Sequence, residues 1–207
     1  MWYNERVVIL NYLEGVTMLM FKVGDKIVYP MHGAGVIETI EERAVLDEKQ
    51  AYYIIKMPGE VKVMVPTAKA EEIGVRNIID KETAGKVIHV LEENCTEMSM
   101  KWNKRYRDNV EKMKSGNVFE IADIVRNLSF KQKDKGLSTT EKKMLVNAKQ
   151  ILVSELMLVE SKEKDEIETL IDSKIDISYE AHNIDDSNGG TDDTDDTTGV
   201  MKTFIQT

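Results

Sequence analysis

The chain has 207 residues, 42% of them hydrophobic, and a formal net charge of −9 at pH 7. This length allows two small domains or one domain with extensions, and the composition is typical of a soluble, charged-surface protein. No apolar run approaches the roughly 20 residues needed to span a bilayer. The single cysteine, Cys95, excludes an internal disulfide framework and a cysteine-rich zinc site, and is consistent with a reducing cytoplasm.

Residues 1–19 differ in pattern from the chain that follows. The run VVILNYL is apolar, but Glu5 precedes it, Glu14 follows it and no small-residue cleavage site comes after it, so we predict no export signal. A translation start at Met20 would explain both the unusual extension and the regular pattern after it. A short helical extension is the alternative.

Hydrophobic residues alternate with a period of two between residues 21 and 73. Short runs rich in Val, Ile and Tyr, separated by Gly and Pro clusters, predict strands at residues 26–29, 35–40, 51–57 and 61–65. Four or five strands in so short a segment cannot bury two faces as an open sheet. We therefore expect residues 20–75 to close into a small β-barrel of SH3 or Tudor type.

After Gly74 the apolar period changes to about 3.6, which predicts helices. Ser138 and Glu141 form the clearest capping box. The predicted helices run from residue 80 to 93, from a Ser99 cap to about 115 with Gly116 as the stop, from Asn117 with Glu120, from Ser138, and from about 164 to 174. The fold class is thus α+β, with an all-α bundle over residues 78–174 as the second domain.

From about Asp176 the sequence consists mainly of Asp, Thr, Ser, Asn and Gly. Such a segment has too little apolar surface to offset the entropy lost on ordering, so we expect residues 176–207 to form a disordered acidic tail. The tail is not a predicted calcium loop, because the required Gly and closing Glu spacing is missing.

Positive charge is concentrated in the middle of the chain. Residues 101–150 carry 13 Lys or Arg against 6 Asp or Glu, whereas residues 1–100 sum to −5 and residues 151–207 to −11. Trp102 and Tyr106 lie among these cations, and a positive surface with an exposed aromatic suits a phosphate backbone and its bases. Because both rings share one helical stripe, the alternative is that Trp102 belongs to the core.

No motif indicates catalysis or a bound cofactor. The Gly33-Ala34-Gly35 cluster precedes a strand, so the helix N-terminus that would hold phosphate is missing. His32, His89 and His182 have no metal-ligand spacing. We predict no enzyme activity, no cofactor and no metal site.

Four segments resemble the CarD/CdnL family of bacterial transcription regulators, in order and at family spacing. They are FKVGDKIVYPMHGAGVIETIEER at 21–43, VPTAKAEEIGVRNI at 65–78, KWNKRYRDNVEKMKSGNVFEIADIVRNL at 101–128 and KGLSTTEKKMLVNAKQILVSELMLVE at 135–160. The resemblance covers about residues 20–172 and leaves out the N-terminal extension and the acidic tail.

The resemblance implies a Tudor-like domain that docks on the RNA polymerase β subunit and a helical domain that contacts promoter DNA. Trp102 matches the Trp that, in the family, wedges into the minor groove at the upstream edge of the melted bubble and stabilises the open complex. Arg43 matches a polymerase-contacting Arg, although the residue alone suggests only a solvated turn. Met64 stands where a second basic contact is expected, which is a departure from the family.

The DNA-binding surface expected on this basis consists of Trp102, Lys101, Lys104, Arg105, Arg107, Lys142 and Lys143. We expect a cytoplasmic monomer that reaches the nucleoid through RNA polymerase and has no membrane partner. A protein- or RNA-binding adaptor, not linked to polymerase, is the alternative function, and an enzyme of a new type is a third.

Overall fold

The computed structural model describes residues 20–45 and 48–188, and the N-terminal extension lies outside these ranges. The first domain is an antiparallel sheet with the strand order β4-β3-β2-β1-β5. Its strands are β1 Lys26–Tyr29, β2 Gly33–Val45, β3 Glu48–Lys56, β4 Lys62–Pro66 and β5 Arg76–Asn77. The predicted strands are confirmed, and β2 and β3 extend beyond their predicted limits.

One face of this sheet carries the first hydrophobic core. Ile37 lies opposite Ile55 across β2 and β3, and Tyr53 lies opposite Val65 across β3 and β4. These four side chains are buried together with Ile27, as the period-two alternation requires.

The sheet does not close into a barrel, and this corrects the prediction. Within the described residues β4 and β5 form its two edges, each paired on one side only. The core is covered instead by Phe21, Ala70 and Val75, which pack against the buried face of the sheet. Ala70 begins a short helix, so a helical segment supplies the cover that closure of the strands would otherwise have provided.

The second domain is built from long helices, as predicted. A 3₁₀ turn at Thr67–Lys69 and the short helix α1 Ala70–Ile73 still belong to the first domain. The helices of the second domain are α2 Lys81–Glu92, α3 Trp102–Ser115, α4 Val118–Asp134, α5 Thr139–Glu160 and α6 Lys164–Asn188. None of the helices within these ranges combines the length and apolarity that a membrane crossing needs.

The helix caps confirm some predicted starts and correct one. The capping box of Ser138 and Glu141 is present, and Asn117 accepts a hydrogen bond from the amide of Phe119. Ser99, in contrast, does not cap α3. The N-cap position is Lys101, which makes no side-chain cap bond, so α3 begins two residues later than a Ser99 cap would place it.

Helix α6 is longer than predicted, because tertiary contacts order residues that the composition assigns to a disordered tail. Ile175 is 2% exposed in the bundle core, and the Ser178 hydroxyl donates to the Glu93 carbonyl at 2.9 Å. The Tyr179 hydroxyl donates to Asp134 at 2.6 Å. The boundary expected at Asp176 is therefore wrong, and the rest of the predicted tail, from residue 189, lies outside the described residues.

The sheet and the bundle are joined through α5. Arg76 in β5 makes a two-pronged ion pair with Glu155, with N–O distances of 2.6 and 2.9 Å. The amide of Ala34 donates to the Ser154 hydroxyl at 2.8 Å. Gly33 has a φ of +99°, and a Cβ there would lie 2.5 Å from the Ser154 hydroxyl, so only glycine permits this close approach.

Candidate nucleic-acid interface

Trp102 is the first residue of α3 and is held on two sides. Its ring stacks on Tyr106 one turn later, with centroids 5.6 Å apart and planes inclined by 16°. Its indole Nε1 donates to the Ser138 hydroxyl at 3.3 Å. The residue is nonetheless 42% exposed. Trp102 is therefore neither sealed in the core nor free to rotate, but an anchored ring with a solvent-accessible portion.

Five of the predicted cations are exposed, namely Lys101, Lys104, Arg107, Lys142 and Lys143. The contact between Trp102 and Ser138 brings the start of α3 to the start of α5, so Lys142 and Lys143 follow within about a turn of the Trp102 anchor. Within the described ranges no carboxylate lies within ion-pair distance of any of these five cations. We call these residues and Trp102 the basic surface.

Arg105 does not belong to the basic surface, and this corrects its expected role in DNA contact. The side chain is buried, and its Nη2 lies 2.7 Å from Glu141. Its Nη1 donates to the Ser99 carbonyl at 2.6 Å. Breaking a buried ion pair costs about 3–5 kcal/mol, so Arg105 is not available to a phosphate. Its spacing of four and eight residues from the buried Asn109 and Met113 is the sequence signal that could have revealed this.

Glu141 holds three helices together at this point. It caps α5 with Ser138, pairs with Arg105 from α3, and accepts from Lys131 of α4 at 2.6 Å. Burial alone would raise its pKa, but hydrogen bonds from the two cations and from Ser138 lower the pKa from 4.5 to about 2. Glu141 is therefore ionised at neutral pH, and the ion pairs that fix α3 against α5 are fully formed.

A second buried network fixes the loop that leads from α2 to α3. The Asn127 side chain accepts from the amide of Thr96 at 3.0 Å, and Arg126 donates to the Val90 carbonyl at 2.7 Å. Burial would raise the pKa of Asp123, but hydrogen bonds that include one from Lys112 lower it. Arg126 is 1% exposed, so this cation of the positively charged segment 101–150 is structural.

The two residues expected to contact polymerase lie on one face of the sheet. Glu41, two residues before Arg43 on β2, lies opposite Tyr52 on β3. Met64 on β4 lies opposite Ile54, two residues after Tyr52. Because side chains alternate along each strand, Arg43 and Met64 share the face turned away from the sheet core. Arg43 pairs with Glu41 at 2.7 Å, and it lies within β2 rather than in a turn. Met64 is 46% exposed on the edge strand β4.

Both domains match known families. The CarD-like/TRCF RID domain matches residues 21–79, and the CarD C-terminal domain matches residues 86–172. A RID domain followed by this helical domain is the arrangement of a CarD-like transcription regulator. The chain is also 43% identical over 141 residues to the candidate transcription factor YdeB of Bacillus subtilis (strain 168), covering 68% of this chain and 92% of that protein. The chain belongs to the CarD family, which confirms the resemblance.

Proposed function

We propose that this protein docks on the β subunit of RNA polymerase and stabilises the open promoter complex with Trp102, which wedges into the minor groove at the upstream edge of the bubble. The observation that carries the proposal is the state of Trp102. The ring is held by Tyr106 and Ser138 yet remains 42% exposed among cations. An anchored, partly exposed aromatic on a positive surface is suited to insertion between bases.

The basic surface supplies the affinity for DNA in this proposal. When exposed lysines and arginines neutralise DNA phosphates, the counterions condensed on the DNA are released, whatever the base sequence. Lys101, Lys104 and Arg107 flank the wedge on α3, and Lys142 and Lys143 approach from α5. Arg105 takes no part in contact, because it holds the start of α3 in place.

Stacking by Trp102 supplies the effect on the bubble. A base–aromatic stack contributes roughly 1–3 kcal/mol, and the inserted ring replaces stacking lost at the junction. Each 1.4 kcal/mol changes a rate by a factor of about ten, so the open complex should collapse about tenfold more slowly with the protein bound. No bond needs to be made or broken.

The outward face of the sheet is the docking surface in this proposal. Arg43 is about half exposed, and its pairing with Glu41 is a surface ion pair, which contributes little and is easily exchanged for a partner's carboxylate. Met64 would replace the second basic contact of the family with an apolar one. The free side of edge strand β4 also exposes backbone groups that a strand of the partner could pair with.

Replacement of Trp102 by Ala tests the proposal. If the ring were a core residue, truncation would leave a cavity and cost roughly 3–5 kcal/mol. Since the ring is 42% exposed, we expect a loss of about 1 kcal/mol, measured by urea unfolding. Capture of polymerase from a lysate should survive, whereas the lifetime of competitor-challenged open complexes should fall towards the value without the protein.

The same experiment contains the results that would contradict the proposal. A variant that unfolds several kcal/mol more easily, with all activities lost together, would make Trp102 a structural residue. An open-complex lifetime equal to that of the wild type would show that Trp102 does not act as a wedge. Capture of ribosomes or unrelated proteins in place of polymerase would favour an adaptor function.

A further inference from the structure

The first turn of α3 lacks the features that normally stabilise a helix N-terminus. Lys101 at the N-cap makes no side-chain bond to the helix, and the first turn contains no acidic residue. Free N–H groups and the positive end of the helix dipole both favour fraying here, and neighbouring lysines add to the repulsion. Other contacts must therefore keep Trp102 in place.

Two sets of contacts take over this role. Arg105 reaches back to the carbonyls of Ser99 and Met100, so the chain entering α3 is fixed from the helix side. The indole Nε1 of Trp102 donates to Ser138 on the neighbouring helix. The Arg105 contacts fix the backbone of this turn, whereas the bond to Ser138 and the stack on Tyr106 act on the indole ring itself.

The bonding capacity of the Ser138 hydroxyl is fully used. It donates its proton to the Glu141 carboxylate at 3.0 Å, and it accepts from the Glu141 amide at 3.3 Å and from the Trp102 indole at 3.3 Å. A serine hydroxyl has one proton to donate and two lone pairs. Because Glu141 takes the proton and one lone pair, one lone pair of the hydroxyl remains, and the Trp102 N–H donates to it.

We propose that Ser138, oriented by Glu141, is a positioning residue that sets the plane of the Trp102 ring before it meets DNA. This inference rests on the proposed function and adds a regulating contact to it. A ring held in its inserting orientation loses less rotational freedom on binding, so more of the stacking energy stabilises the bubble. Ser138 acts through Trp102 and does not itself contact DNA.

The test separates this role from the capping of α5. Replacement of Ser138 by Gly removes the acceptor of Trp102, yet glycine is itself an acceptable N-cap residue, so α5 should remain folded. Ser138→Thr keeps a hydroxyl and is the rescue variant. Asp80→Gly is the matched control, because Asp80 caps α2 through the Thr83 amide at 2.7 Å and makes no hydrogen bond to Trp102.

The first measurement reads Trp102 without DNA. In the full chain carrying Trp2→Phe, Trp102 is the remaining tryptophan, so acrylamide quenching and time-resolved anisotropy report on its ring alone. We expect Ser138→Gly to lower the ratio of anchored to released Trp102 rings about five-fold. This factor corresponds to the loss of one hydrogen bond of about 1 kcal/mol, at 1.4 kcal/mol per tenfold change in an equilibrium constant. Ser138→Thr and Asp80→Gly should leave quenching and anisotropy as in the parent protein.

The second measurement is the lifetime of the open promoter complex. Ser138→Gly should shorten the lifetime of the open complex about two- to five-fold in the presence of Trp102, and it should have no further effect once Trp102 is replaced by Ala. Ring fluorescence in Ser138→Gly that equals the parent's would overturn the inference. An equal change in Asp80→Gly would also overturn it, because general loosening of the fold would then be the cause.

The two measurements also separate this inference from the proposed function. If Trp102→Ala left the open-complex lifetime unchanged, the proposed function would fall. The fluorescence comparison would still decide whether Ser138 orients the ring, since it needs neither DNA nor polymerase.

Discussion

The basic surface makes a quantitative prediction about salt. Its five cations are exposed and form no ion pair with a described carboxylate, so each is available to a phosphate. Lys104→Gln removes one of them beside Trp102. If each cation meets one phosphate, the logarithm of the binding constant should fall with the logarithm of salt concentration with a slope of about −4.5, at about −0.9 per contact.

The expected salt dependence of DNA binding is large. A slope of about −4.5 weakens binding about 500-fold between 50 and 200 mM salt, and Lys104→Gln should reduce the slope by about 0.9. The matched control is Lys133→Gln. Lys133 is already paired with Asp176 at 2.5 Å, and its loss should change the slope much less.

The assay is fluorescence anisotropy of a labelled upstream-fork promoter duplex, titrated with each protein at four or five salt concentrations. Urea unfolding at the same salt confirms that both variants are folded. A slope unchanged by Lys104→Gln would refute the assignment of that cation to the interface. An equal reduction in Lys133→Gln would show that net charge, and not the basic surface, governs binding.

Three further outcomes are expected. Arg43→Glu should weaken binding to a β-subunit fragment by several kcal/mol, because like charges would then meet at the interface, and it should cost little fold stability. A wild-type affinity, measured by calorimetry, would show that the docking surface lies elsewhere. Deletion of residues 189–207, which begins beyond α6, should strengthen DNA binding at low salt by removing competing acidic charge; unchanged or weaker binding would exclude that competition. Because the pKa of Glu141 is lowered to about 2, its stabilisation, at most about 3 kcal/mol, is complete above pH 4.5 and is lost as the pH falls towards 2. The stability gap between the wild type and Glu141→Gln should therefore narrow over that range in urea titrations, and a gap independent of pH would contradict the ion-pair assignment.

The elements that sequence predicted well are those specified by local chemistry. Strand alternation depends on neighbouring residues, and the capping box of Ser138 and Glu141 depends on residues three apart, so both can be read from a short window. The exposure of the cations of the basic surface could be predicted for a similar reason. Lysine is almost never fully buried without a partner, and Lys101, Lys142 and Lys143 have none among the described carboxylates.

The features that sequence did not predict depend on distant residues. Arg105 has the same charge as its neighbours, and the carboxylate that compensates its buried charge belongs to Glu141, 36 positions away. Helix α6 continues past Asp176 because Tyr179 meets Asp134 and Phe130, contacts that composition cannot reveal. The open sheet has the same origin, since Phe21 and Ala70 cover its core from outside the strands.

Helix α5 connects the two surfaces that the proposed function needs. Its N-cap residue Ser138 accepts a hydrogen bond from Trp102. Its later residues Ser154 and Glu155 form a hydrogen bond and an ion pair with the sheet that carries Arg43. At 1.5 Å per residue, the 17 residues from Ser138 to Glu155 span about 25 Å. A flexible connection would disperse the wedge over many positions and lower its effective concentration at the bubble. Because α5 is a continuous helix bonded at both points, docking of the sheet on polymerase would fix the distance at which Trp102 meets the promoter.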